Sequence, residues 1–412
     1  MRIVILYCWY PPLPPGREDG GADYVKRFAE TLAGRGWEVH VLTSHPELSG
    51  GLGESEAGER LFVHRVVREW GVRGLGKGEF GRMRRLLSEI RPEVINVVFP
   101  GAKVRNRYAL PCLIKILYPG VPVITTLFHL IHPRSLRNPF YLGLVALLYL
   151  SSRKLCFQEE RHLKIFRWLF PFLRRRAVLI PCGCNIEISE EYSLAASRRM
   201  REQLGLDPDY RYVAFYGYWY PSKNVHVLVE AVHRLVRKGE KGKLLFVGGR
   251  DREHITTAYG RRVLRLITEL GLWEAVVMTG HCEEKTLNRY LLSSDLCVLP
   301  FSDRTLGRGT LFEVMALGVP LVTTQTADSD FLRHGHNAFL VPSPEPACLQ
   351  TAIEQLLEQD ELRVQLVGGA RAAAEKFSWP ALMSQWESLL AEMQVPVGGG
   401  EWLRPSGRTT RR

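Results

Sequence analysis

The sequence predicts an α/β protein built from two Rossmann-like domains that face each other across a cleft. Three observations predict it. The chain has 412 residues, more than one core usually serves at ~100–200 residues per domain. Short apolar runs alternate with helical patterns, the rhythm of a parallel sheet. That rhythm restarts once, after IPCGCNIEIS at 180–189.

The elements follow in order. RIVIL opens the chain as a strand, and its short apolar run with no small-residue cleavage site is not expected to be a signal peptide. DYVKRFAETLAGRG follows as a helix, because Ala22, Val25, Phe28, Ala29 and Leu32 recur at helical spacing and Gly34 and Gly36 stop it. EVHVLT, EVINVVF and PVITTLF are the next strands. In the second half the strands are YVAFYG, KLLFVGG, AVVMTG, DLCVLPF and GVPLVTT, with helices through VHVLVEAVHRLVRKG and GRRVLRLITELG between them. The last residues, GGGEWLRPSGRTTRR, have the composition of a disordered basic tail.

Composition narrows the class. The chain is 46% hydrophobic and 24% charged, which is ordinary for a globular protein. Its longest apolar run, FYLGLVALLYL at 140–150, is too short to span a bilayer. The eight cysteines form no CxxC pair, and Cys182 and Cys184 stand one residue apart, a poor spacing for a metal. No metal site is expected, and the cysteine usage fits a reducing, cytoplasmic setting.

The net charge of +12 is unevenly placed. Residues 188–412 hold 27 basic and 27 acidic side chains, so the whole excess lies in the first half. Residues 100–186 alone hold 14 basic residues against Glu159 and Glu160. An acidic partner is expected there. No base-reading motif accompanies the charge, so nucleic acid is not the expected partner. RHLKIFRWLFPFLRRR, 161–176, interleaves basic residues with aromatic and aliphatic ones, as an anionic membrane surface attracts at about 1 kcal/mol per basic residue. An ordinary solvated helix packed on the sheet is the plainer alternative.

Ligands of such folds bind where strand-to-helix loops converge at the carboxyl ends of the strands. Gly20 and Gly21 end the first of these loops, PPLPPGREDGG, where backbone amides and a helix N-terminus can meet a phosphate. A flexible surface turn accounts for them equally simply. Lys223 occupies the equivalent loop of the second half and can meet a diphosphate as a compact point charge; the alternative is a solvated surface lysine. The DSD at 328–330 reads as capping and solvated surface.

Taken in order, the motifs resemble the retaining GT-B glycosyltransferases of family 4, the glycosyl transferases group 1. The opening RIVILYCWYPPLPPGREDGGADYVKRFAETLAGRGWEVHVLT is similar to theirs, IPCGCN resembles their interdomain turn, and YGYWYPSKNVHVLVEAV their phosphate-binding loop. LCVLPFSDRTLGRGTLFEVMALGVPLVTT resembles the donor-binding stretch and HGHNAFLVPSPEPACLQTAI the segment after it. The resemblance runs from about residue 1 to 390.

It implies a GT-B fold with an acceptor-binding domain over 1–185, a nucleotide-sugar-binding domain over 186–378, a helix over 379–394 crossing back to the first domain, and a tail over 395–412. It also implies roles. Lys223 clamps the donor diphosphate, Gly309 and Thr310 face it with backbone amides, Glu313 holds the ribose hydroxyls, and His129 stands near the anomeric carbon, with His132 a rival. Glu313 is otherwise a helix carboxylate, and His129 a hydrogen-bonded strand-end histidine.

Two positions depart from the family pattern. Thr305 stands eight residues before Glu313, where the family has its first glutamate, and Tyr218, Trp219 and Tyr220 stand where an arginine is usual before the lysine. Arg308 or Arg17 can supply the missing charge.

The implied reaction moves a sugar from a nucleotide-diphosphate donor to a membrane-associated or polysaccharide acceptor, with retention and without a metal. Peripheral attachment to the inner membrane face is expected through 161–176. The alternatives are a catalytically inactive nucleotide-sugar-binding partner of another transferase and an enzyme that epimerises a nucleotide sugar. Acceptor specificity is expected in loops such as WGVRGLGKGEFG, 70–81.

Overall fold

The computed structural model describes residues 1–11, 20–44, 55–67, 77–99, 110–128, 139–184, 192–248, 257–280, 282–302, 309–326 and 331–393. The chain divides into two compact units, Met1–Pro181 joined by the chain from Leu382 on, and Cys182–Ala381.

In the first unit the described strands are β1 (Arg2–Leu6), β2 (Glu38–Ser44), β3 (Ser55–Ala57), β4 (Leu61–Val67), β5 (Val94–Phe99), β6 (Val123–Leu127), β7 (Lys154–Phe157) and β8 (Ala177–Leu179). They lie in the order β3-β4-β2-β1-β5-β6-β7-β8, and every pairing is parallel except that of β3 with β4. VINVVF of β5 is buried at every residue, as a strand covered on both faces requires. The helices are α1 (Gly20–Gly34), α2 (Lys77–Ile90), α3 (Leu110–Leu117), α4 (Pro139–Ser151) and α5 (Glu160–Leu169). Strand order runs one way from β1 to β2 and the other way from β5 to β8. Right-handed crossovers therefore put α1 on one face and α3, α4 and α5 side by side on the opposite face.

The stretch 161–176 is not one helix. Pro171 has no N–H to donate, α5 stops at Leu169, and Pro171–Arg176 continues as a tighter 3₁₀ segment.

The second unit has β9 (Arg211–Tyr216), β10 (Gly242–Val247), β11 (Val276–Met278), β12 (Leu296–Leu299), β13 (Leu321–Thr324) and β14 (Phe339–Val341), all parallel in the order β11-β10-β9-β12-β13-β14. Its helices are α6 (Leu194–Gln203), α7 (Val225–Arg237), α8 (Ala258–Glu269), α9 (Glu284–Ser293), α10 (Gly309–Leu317), α11 (Pro346–Glu358) and α12 (Asp360–Ala374). LCVL of β12 and all of Leu311–Leu317 in α10 are buried. At the base of this sheet Asp295 binds Arg201 at 2.8 Å and Arg211 at 3.1 Å and accepts the Tyr212 amide at 2.7 Å, so the buried carboxylate is fully engaged.

The last helix, α13 (Trp379–Ala391), belongs with the first unit from Leu382 on. Trp386, fully buried, packs on Phe28 at 4.6 Å, and Glu387 takes Arg35 at 2.9 Å. The tail from residue 394 lies outside the described residues.

Candidate active site

In the second unit strand order reverses between β9 and β12, so the helices that follow them leave on opposite faces and a crevice opens at the strands' carboxyl ends. Both flanks of that crevice carry expected site residues.

On one flank, β9 ends at Tyr216 and the chain turns at Gly217, whose φ of +103° an L side chain rarely adopts. Trp219 is buried against Phe246 at 4.7 Å and anchors the loop in the core. Pro221 starts a 3₁₀ turn over Pro221–Lys223, and Asn224 closes it in the left-handed region. The turn is fastened to the chain beyond β12. Asn224 Nδ2 donates to the Pro300 carbonyl at 2.9 Å, and the Ser302 amide donates to the Ser222 carbonyl at 3.1 Å.

This fastening aims Lys223. The residue is only 5% exposed, and its Nζ comes back over Gly217, 2.8 Å from where a β-carbon there would stand. Thr310 Cγ2 lies 3.0 Å from the same point, so the lysine and the start of α10 converge on Gly217. The ammonium is thus held in a fixed, buried place at the carboxyl end of β9, where its charge is screened little by solvent.

On the other flank, Gly309 and Thr310 open α10, where the first amides of a helix have no partner within it. Glu313 follows one turn later and is 5% exposed. The Tyr216 phenol donates to its carboxylate, and burial first, then the Glu313 charge, hold that phenol protonated well above its ordinary range. Burial pushes the Cys182 thiol up to about 12, and Glu313 adds to the effect. Lys223, Gly309, Thr310 and Glu313 are thus gathered at one crevice. Tyr216, and Cys182, which the sequence offered only as half of a poorly spaced metal pair, lie close enough to feel the carboxylate.

Gly20 and Gly21 open α1 in the first unit, after β1. A β-carbon at Gly20 would meet open space, so the fold makes no steric demand for glycine there. His129, His132, Arg308, Thr305, Arg17 and the DSD at 328–330 lie outside the described residues, as does 70–76 of the expected specificity loop. At the carboxyl end of β7, Glu159 is 4% exposed and pairs with His162 Nδ1 at 3.2 Å. Gln158 beside it is buried, with no partner for its Nε2 among the described residues. Among the described residues no three His, Cys, Asp or Glu side chains are grouped to hold a metal.

Known proteins resemble this chain in sequence and in fold. Residues 19–188 match the model of Glycosyltransferase Family 4 and residues 210–359 that of Glycosyl transferases group 1, one on each half of the chain. Phosphatidyl-myo-inositol mannosyltransferase of Mycobacterium leprae is 26% identical over 407 residues, 93% of this chain and 95% of that protein. Sucrose-phosphate synthase from Thermosynechococcus elongatus superposes with a TM-score of 0.75 at 20% identity, covering 95% of this chain and 98% of its own. Anabaena Alr3699/HepE, in a complex with UDP and glucose, superposes with a TM-score of 0.68 at 17% identity, covering 95% of this chain and 100% of its own.

Two parallel-sheet, Rossmann-like domains of this kind are those of a GT-B glycosyltransferase. The chain belongs to the family 4, group 1 glycosyltransferases.

Proposed function

We propose that the protein transfers a sugar from a nucleotide-diphosphate donor to a lipid-linked or polysaccharide acceptor, with retention at the anomeric carbon. The observation that carries this reading is the buried Lys223 ammonium held over Gly217 beside the start of α10. A departing nucleoside diphosphate gains negative charge. A fixed ammonium, the amides of Gly309 and Thr310 and the N-terminus of α10 would stabilise that charge as it develops, and we expect no metal. Arg308 would add to this clamp.

Glu313, braced by the Tyr216 phenol, is suited to hold two adjacent ribose hydroxyls of the donor. We assign His129 to the neighbourhood of the anomeric carbon and Gly20 and Gly21 to the donor phosphate from the first domain. No nucleophilic carboxylate is assigned, so a front-face reaction, in which the leaving phosphate helps deprotonate the acceptor hydroxyl, agrees best with retention.

The M. leprae relative named for phosphatidyl-myo-inositol supports a lipid-linked acceptor. The basic stretch 161–176 supports peripheral attachment to the inner face of the membrane. No helix among the described residues is long and apolar enough to cross one.

Incubating the protein with UDP-, GDP- and ADP-sugars and a bacterial lipid extract, then determining the anomeric configuration of the product by NMR, tests the reading. A product with the donor's configuration supports it. An inverted product, or release of nucleoside diphosphate with no acceptor dependence, would overturn it.

A further inference from the structure

The first unit leaves large apolar side chains in water on one face. Ile116 on α3 is 67% exposed, Trp168 on α5 is 79% exposed and Phe172 just beyond it is 73% exposed. Leu147 and Leu150 on α4 are exposed between them. Single exposed apolar residues need no explanation, but these belong to three helices that topology places side by side.

Packing joins them into one surface. Helix α3 packs on α4. Tyr149 of α4 meets Phe166 of α5 at 4.8 Å and Phe170 at 5.2 Å. Arg176 Nη1 donates to the Leu150 carbonyl at 3.1 Å and to that of Ser152 at 3.2 Å, which ties the 3₁₀ segment to the end of α4.

Charge decides what covers this face. Lys115, Arg161, Arg174 and Arg175 are exposed around the apolar residues. Of the two acidic residues in 100–186, Glu159 is buried against His162, and Glu160 is bound by Lys164 at 3.0 Å. A second copy would bring positive charge onto positive charge. Exposed aromatic residues inside a basic collar fit a surface that is apolar within and anionic at its rim.

We propose that the outer face of α3, α4, α5 and Pro171–Arg176 docks on an anionic lipid bilayer. Trp168 and Phe172 enter at headgroup depth, and the arginines meet lipid phosphates. This deepens the peripheral-membrane reading of 161–176 by adding α3 and α4, yet binding is measured without any sugar transfer, so it stands or falls apart from the transferase reading.

The test is sedimentation of the full chain with phosphatidylcholine vesicles, and with vesicles in which roughly a third of the lipid is phosphatidylglycerol. Wild type is expected to bind the anionic vesicles and to leave the neutral ones in solution. Replacing Arg161, Arg174 and Arg175 together by Ser weakens binding on the order of 100-fold, at about a fivefold loss per basic residue. Trp168→Ser with Phe172→Ser, and Ile116→Ser with Leu150→Ser, each weaken it at an unchanged melting temperature. If a variant fails to fold, raising the salt concentration on wild type must release it from the vesicles. Equal binding by wild type and variants, binding to neutral vesicles as strong as to anionic ones, salt-insensitive binding, or no binding together with a dimer in solution would each overturn the proposal.

Discussion

Lys223 Nζ stands 2.8 Å from the point a β-carbon on Gly217 would occupy, so the lysine's place depends on a residue with no side chain six positions before it. Gly217 serves twice: its φ of +103° turns the chain out of β9, and its bare α-carbon leaves room for the ammonium.

Gly217→Ala therefore strains the backbone and pushes the lysine aside. We expect a loss of about 1–3 kcal/mol in stability and a larger loss in affinity for a nucleoside diphosphate, read by urea denaturation and by calorimetric titration. Gly20→Ala is the contrast. Its β-carbon meets open space, so its melting temperature should stay within a degree or so of wild type. A Gly217→Ala variant that keeps full affinity would show that Lys223 is not held by this contact.

Glu313 separates support from binding. Glu313→Ala leaves the phenol of the partly buried Tyr216 without its carboxylate and should cost about 1–3 kcal/mol of stability. Glu313→Gln keeps an acceptor for the phenol and should cost less, while weakening nucleotide binding as much as the alanine variant. If Gln restores affinity along with stability, the carboxylate acts on the fold and not on the ligand.

The two-domain α/β fold was legible in the sequence because βαβ rhythm is local, and the family because its motifs recur in order. Lys223 stood out by its place after the first strand of a repeat. What holds it did not, because Asn224 and Pro300 are 76 residues apart and meet only in the fold. Tyr216 was hidden in YVAFYG, where an aromatic at a strand end looks like any core residue. The 3₁₀ segment after α5 was visible in principle at Pro171, but the continuous run of basic and apolar residues around it read as a single stretch.

The first unit carries an acid-sensitive network. His40 Nδ1 and His64 Nε2 lie 3.0 Å apart, His40 Nε2 lies 3.0 Å from Glu38, and Arg2 holds Glu38 at 2.7 Å. Burial and the neighbouring His40 hold His64 down to about 4, and burial lowers His40 as well. The folded state therefore favours neutral rings while the unfolded chain takes up protons near 6.5. Stability from this pair is complete above that pH and is lost as pH falls through 6.5 toward 4. Between pH 7 and 4.5 wild type should lose about 2 kcal/mol more than His64→Leu, read from urea midpoints at both pH values.

The buried cluster around Asp295 is a purely structural counterpart. Arg201→Ala removes the partner at 2.8 Å and leaves a buried carboxylate undercompensated, at an expected cost of about 3–5 kcal/mol. Arg211→Ala, whose side chain is half exposed, should cost about 1 kcal/mol or less. Equal losses in urea denaturation would contradict this ranking.

The proposed donor site depends on Lys223 meeting a diphosphate, and melting curves with UDP, GDP and ADP on wild type and Lys223→Met test that most directly. At about 100 times its dissociation constant the accepted nucleotide should stabilise wild type by about 2.7 kcal/mol, and the methionine variant, which keeps the buried volume, should lose most of that shift. An equal shift in both proteins, or none in either, would contradict the assignment of this crevice as the donor site.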